Sequence, residues 1–135
     1  MTGTVAVPNM FGVGLTGGAH DNLIGGTTPT LGNVISAYTS EGVHISGAGT
    51  TGNLVWGNRI GVGSGGAPLA DGIGIQIDCG ALNNRVGGTA PGAGKVIADN
   101  THQGVVIGSC TAETTTVGDA VLGNRELPQS IECPE

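Results

Sequence analysis

The sequence predicts an all-β solenoid, a column of three-strand coils about 31 residues long, and three observations predict it. The first is a Gly-apolar-x-apolar motif at Gly12-Val13-Gly14-Leu15, Gly42-Val43-His44-Ile45, Gly72-Ile73-Gly74-Ile75 and Gly104-Val105-Val106-Ile107, at steps of 30, 30 and 32. The second is Asn22-Leu23-Ile24, Asn53-Leu54-Val55 and Asn84-Arg85-Val86, stepping by 31 each time. The third is composition: 28 glycines and three aromatics in 135 residues, with 38% hydrophobic and 10% charged. Short strand-like segments at a fixed period bury their apolar faces against neighbouring copies. Collagen is excluded because Gly does not recur at every third residue. A disordered chain would need more charge and less apolar content.

Each repeat holds three segments. Segment A is the Gly-apolar motif, with alternating inward positions Val13/Leu15, Val43/Ile45, Ile73/Ile75 and Val105/Ile107, as a two-residue period requires. Segment B carries Ile24, Val55, Val86 and, in Thr115-Thr116-Val117, Val117. Segment C carries Ile35, Ile60, Ile97 and Leu127. Val5, Ile35 and Ile97 each precede the next segment A Gly by seven residues, so Thr4 to Val7 reads as the C strand of a leading coil. The single domain then divides into a partial coil 1–11, coils 12–41, 42–71, 72–103 and 104–125, and a tail or cap 126–135. Loops rich in Gly and Pro fall at Gly25–Gly32, Gly87–Gly94 and Gly61–Asp71, where tight corners need such residues. No window carries a helical 3.6-residue apolar period.

Asn22 to Pro29, Gly32 to Ser36, Gly42 to Gly47, Gly57 to Gly61 and Asn84 to Pro91 resemble the repeat of right-handed parallel β-helix proteins, the pectin-lyase-like superfamily. The closest likeness is to its bacterial Gly- and Asn-rich extracellular repeat type. The resemblance covers roughly residues 12 to 125. It implies a right-handed column, in keeping with the handedness of parallel crossovers, and an extracellular or cell-surface setting. It also implies that Asn22, Asn53 and Asn84 stack as an internal ladder at a bend. Asn tolerates the left-handed region there, and its amide can bond the coils on both sides. Thr115 would end that ladder. The superfamily includes pectate lyases, polygalacturonases, tailspikes and adhesins, so the fold does not set the function.

Several groups are candidates for chemistry. Glu41 and Asp71 both precede a segment A Gly in adjacent coils, which would bring them about 5 Å apart, the spacing of a retaining glycosidase pair. His44 projects outward three residues beyond Glu41. A shared Ca²⁺, or a proton retained on one carboxylate, would follow. Against this, acids before Gly are ordinary corner residues. No recurring His or Cys spacing marks a dedicated metal site, so no cofactor is expected. On segment B, Leu23, Leu54 and Arg85 point away from the core, and Trp56 points out beside them. Such a patch serves as a homo-oligomer interface or a sugar-stacking platform, or is covered by the Gly25–Gly32 loop. Thr pairs fall at unrelated positions of the repeat, which excludes a regular ice-binding column.

Cys79 and Cys110 are 31 apart and register-equivalent, within reach of a disulfide at coil spacing. The alternative is stacked free thiols, with Cys133 left over. A bridge would indicate an oxidising compartment. Four basic residues against ten acidic ones give a net charge of −6, so neither nucleic acid nor an anionic membrane is an expected partner. No apolar run is long enough to span a bilayer, and no basic-then-apolar leader opens the sequence. Two functions fit: a non-catalytic structural or binding module that self-associates, or a carbohydrate-active protein working on polysaccharide.

Overall fold

The computed structural model describes residues 6, 8–94 and 96–108 and the strands Ala120–Leu122, Arg125–Leu127 and Ile131–Glu132. In chain order the strands are β1 (Val13–Leu15), β2 (Leu23–Gly25), β3 (Val34–Ile35), β4 (Glu41–Ser46), β5 (Leu54–Trp56), β6 (Arg59–Ile60) and β7 (Ile73–Asp78). They continue with β8 (Arg85–Gly87), β9 (Val96–Ala98), β10 (Val105–Ile107), β11 (Ala120–Leu122), β12 (Arg125–Leu127) and β13 (Ile131–Glu132). Among the described residues there is no helix. Every strand pairs in parallel with the strand one turn away, which builds three sheets: β1-β4-β7-β10-β13, β2-β5-β8-β11 and β3-β6-β9-β12. The chain is a parallel β-solenoid, and its sheets are called A, B and C here after their segments.

The core is a set of aliphatic columns. Ile24, Val55 and Val86 are in register on the B sheet, and Ile35, Ile60 and Ile97 on the C sheet. Val43, Ile45, Val55, Ile60, Ile75, Ile77, Val86, Ile97 and Val105 are fully buried. Each such side chain contributes about 1.5–3 kcal/mol relative to exposure. Branched aliphatics suit this space because β-branching fits a pleated surface.

The A sheet corrects the sequence reading by two residues. Val43 pairs with Ile75 and Ile45 with Ile77, not Val43 with Ile73. Val13 pairs with Val43 and Ile75 with Val105, so the steps run 30, 32 and 30. A two-residue slip keeps every side chain on its own face, so periodicity alone cannot detect it. What selects the longer step is the excursion at Gly61–Asp71, where Val62 bridges Pro68 in antiparallel fashion and the Gly63 N–H bonds the Ala67 carbonyl at 2.9 Å. Later, Val121 pairs with Val86, and Glu126 rather than Leu127 pairs with Ile97. Val117 and the Thr115 end of the ladder lie outside the described residues, as do all but Ala6 of the Thr4–Val7 stretch. Within the proposed tail, β13 joins the A sheet by pairing Ile131 with Val105.

Polar ladders fasten the corners. At the A–B corner, Asn53 Oδ1 accepts from the Asn22 backbone N–H at 3.1 Å and from Asn22 Nδ2 at 2.9 Å. Asn84 Oδ1 accepts the same two bonds from Asn53, at 3.1 and 2.8 Å. Asn53 Nδ2 also reaches the Ala19 carbonyl, and Asn84 Nδ2 the Thr50 carbonyl. Each ladder Asn follows a left-handed residue: Asp21 (φ 54°), Gly52 (φ 67°) and Asn83 (φ 54°). A second ladder stands at the B–C corner, where Asn58 Oδ1 accepts from the backbone N–H and Nδ2 of Asn33, both at 3.0 Å. The ladder oxygens accept the Asn22, Asn53 and Asn33 backbone N–H groups that turn inward at a bend and would otherwise be orphaned.

Candidate functional site

A polar cluster of His44, Gln76 and Asp78 lies on the outer face of the A sheet. His44 and Gln76 are partners across β4 and β7, and Ser46 pairs with Asp78. His44 Nε2 stands 3.2 and 3.3 Å from the two Asp78 oxygens, and Gln76 Nε2 donates to Asp78 Oδ2. Asp78 is buried, while His44 keeps about a quarter of its side chain exposed. The Phe11 ring stacks on the His44 ring with centroids 5.8 Å apart. The carboxylate fixes the imidazole's orientation, as in general-base pairs. Asp78 is not among the candidates the sequence singles out. Its partner is a histidine one turn away, and the two-residue register slip hid that neighbour.

The expected Glu41–Asp71 pair does not form, and neither acid joins His44. Glu41 is in register with Ile73, so Asp71 sits two residues off level. Asp71 turns inward instead and is fully buried. Its Oδ1 accepts the Tyr38 N–H at 2.9 Å, and its own N–H donates to Asn100 Oδ1 at 3.2 Å. Burial pushes its carboxyl up to about 7, against the lowering effect of the Tyr38 and Gly61 amides. Outside this corner two shallow cavities of about 360 and 230 Å³ run along the surface. Thr39, Gly72 and His102 line both, and Glu41 lines the smaller one. Among the described residues no group of three His, Cys, Asp or Glu is arranged to hold a metal ion.

The expected segment B patch divides. Leu23 and Arg85 are exposed, whereas Leu54 and Trp56 are half-buried. The Trp56 indole lies against Gly88, where a Cβ would meet Nε1 at 3.5 Å, and Nε1 is buried without a hydrogen-bond partner. The loop beside it belongs to the following turn, not to Gly25–Gly32. The large exposed apolar residues are instead Met10, Phe11, Leu23, Leu31 and Val34, from 40% to 62% exposed. All five lie in, or directly before, the turn that carries β1, β2 and β3, the strands at one end of the three sheets among the described residues. Of the core residues of that turn, Val13, Leu15 and Ile24 are only partly buried, while Ile35 is buried.

Cys79 is disulfide-bonded. Cys110, its expected partner, lies outside the described residues. The fold and the site therefore define a parallel β-solenoid whose corners are held by amide ladders, with an apolar end and a His–Asp pair on one face. Comparison with family models, with curated proteins and with solved structures finds no match.

Proposed function

We propose that this chain is a non-catalytic structural module that associates with a second copy of itself through the end formed by β1, β2 and β3. The observation that carries this reading is the confinement of the large exposed apolar residues, among those described, to that one end. Two further features support it. The end strands offer backbone groups that another strand edge complements. The ladders also run out there: Asn22 and Asn33 are exposed, and their Oδ1 atoms stand where the next ladder amide would donate. Closed two-fold pairing is the commonest oligomer geometry. A dyad across the A sheet sets β1 antiparallel to its own copy and β2 against the partner's β3. The chain fits a right-handed helix of the pectin-lyase-like, Gly- and Asn-rich extracellular type, and the Cys79 disulfide suits an oxidising compartment.

Sedimentation equilibrium tests the reading. The wild-type chain is expected to be dimeric, Val34→Lys combined with Leu31→Glu monomeric, and Trp56→Ala dimeric. A monomeric wild type, or a dimer that only Trp56→Ala dissolves, overturns it.

One observation favours polysaccharide binding as a second reading. Phe11 presents an exposed ring beside His44, Gln76 and Asp78 on a flat sheet, and aromatic faces next to planar hydrogen-bonding groups suit sugar rings. Calorimetry against acidic and neutral oligosaccharides should then show binding that Gln76→Ala weakens at least tenfold without changing the oligomer mass. Absence of binding by the wild type removes this reading.

A further inference from the structure

Asp71 occupies a corner position that asparagine fills one turn later. The Asp71 N–H bonds Asn100 Oδ1, just as each Asn ladder bonds its preceding turn. Asp71 Oδ1 in turn accepts the Tyr38 N–H. The second side-chain atoms correspond as well. A Cβ at Gly42 would lie 2.7 Å from Asp71 Oδ2, and one at Gly74 would lie 2.7 Å from Asn100 Nδ2. Where the ladder amides put an N–H donor, Asp71 puts an oxygen, and that oxygen is buried with no hydrogen bond formed to it, since the nearby Gly61 N–H donates to the Ile35 carbonyl at 3.1 Å. An ionised carboxylate is acceptor-only, whereas a protonated one carries a donor in that place.

We propose that Asp71 serves in the fold as a neutral carboxylic acid in place of a ladder amide, so that its ionisation releases the corner it holds and makes that corner a pH-sensitive latch. The segments held there are 37–39, the end of the Gly61–Asp71 hairpin and 100–102. Ala37 N–H bonds the Leu69 carbonyl, Gly72 N–H the Tyr38 carbonyl and Thr101 N–H the Asp71 carbonyl, at 3.1, 3.0 and 2.8 Å. Ionisable side chains on the elements packed around Asp71 are Tyr38, Glu41, Arg59, Asp99 and His102. Among the described residues no ion pair joins any of them to Asp71. Arg59 reaches toward Gly66 on the hairpin.

The sign follows from a folded pKa of about 7 against 3.8 for the free group. A proton bound more tightly in the folded state stabilises it fully below pH 3.8. That stability is lost as pH rises toward 7, by as much as about a thousandfold in the folding equilibrium. Urea unfolding of wild type and Asp71→Asn from pH 4 to 8 isolates the effect, because other titrating groups are common to both. The two should be near equal at pH 4, with Asp71→Asn more stable at pH 8 by up to that factor. A difference that does not change with pH overturns the proposal. A carbon-detected NMR titration of the wild-type carboxyl gives an independent reading: a midpoint above 6 supports it, and one near 4 overturns it. Hydrogen exchange tests the latch itself. Protection of the Tyr38 and Thr101 amides should fall above pH 7 in wild type and hold in Asp71→Asn, and equal protection in both contradicts release of the corner.

Discussion

Gly57→Ala is expected to abolish folding at room temperature. Gly57 has φ 66°, which costs a side-chain-bearing residue about 1–2 kcal/mol. The larger cost is space. A Cβ there would overlap the Gly26 carbonyl oxygen of the preceding turn and lie 3.0 Å from the Gly92 carbonyl oxygen of the following one. Its own N–H bonds the Ala93 carbonyl at 3.2 Å, so the backbone is held from that side too. Neither turn can retreat without stretching ladder bonds at Asn33 and Asn58, which lie beside the contact. Several kcal/mol lost from a total of about 5–15 leaves little folded protein. Gly14→Ala is the control, because Gly14 is exposed and a Cβ there meets nothing within 4 Å. It should change stability by less than about 0.5 kcal/mol. Circular dichroism of the two variants separates them, and a folded Gly57→Ala with wild-type stability would contradict the close stacking of these turns.

Asn53→Ala is expected to cost about 3–5 kcal/mol, well above the usual cost of one lost hydrogen bond. Its side chain is fully buried and serves both neighbouring turns at once. Truncation leaves the Asn22 N–H without its acceptor and the Ala19 carbonyl with the Thr51 N–H alone, and removes the Nδ2 bond to Asn84. Asn22→Ala makes the same chemical change at the exposed end of the same ladder and should cost about 1 kcal/mol or less. The comparison by denaturant unfolding is informative because residue type and backbone position are held constant and only burial differs. Equal costs at the two sites would mean that the ladder contributes little to stability.

The fold class was legible because period two and period 31 are written in the same residues. Ile24, Val55 and Val86 advertise both strand and repeat, and the structure stacks them in register. What the sequence concealed was offset by an even number of residues. The stretch from Gly72 to Ile77 holds two overlapping copies of the motif, starting at Gly72 and at Gly74, and either one offers an aliphatic pair. Only the fit of the hairpin at Val62 and Pro68 decides between them. That ambiguity carried through to the site. It set Glu41 level with Asp71 and hid His44 from Asp78, which β-pairing brings to within 3.2 Å. The second ladder was missed for a related reason: Asn33 and Asn58 are 25 apart, because the loop before Asn33 is longer than the one before Asn58. A search by corner position, just after the segment B strand and its Gly, would have found it. Asp71 was singled out from sequence as a possible partner of Glu41, because both precede a segment A Gly. Its asparagine-like role became visible only beside Asn100.

The self-association proposal is tested most directly by the distance between copies at one site on the end strand. Gly14 lies at the middle of β1 with open space around it, so a spin label on Gly14→Cys leaves the stack undisturbed. With the unsubstituted chain labelled in parallel as reference, pairing of β1 with its own copy predicts a dominant intermolecular distance under about 20 Å, a strand spacing plus two label arms. A dimeric sample whose labels show no intermolecular distance in that range would place the interface elsewhere and contradict the proposal.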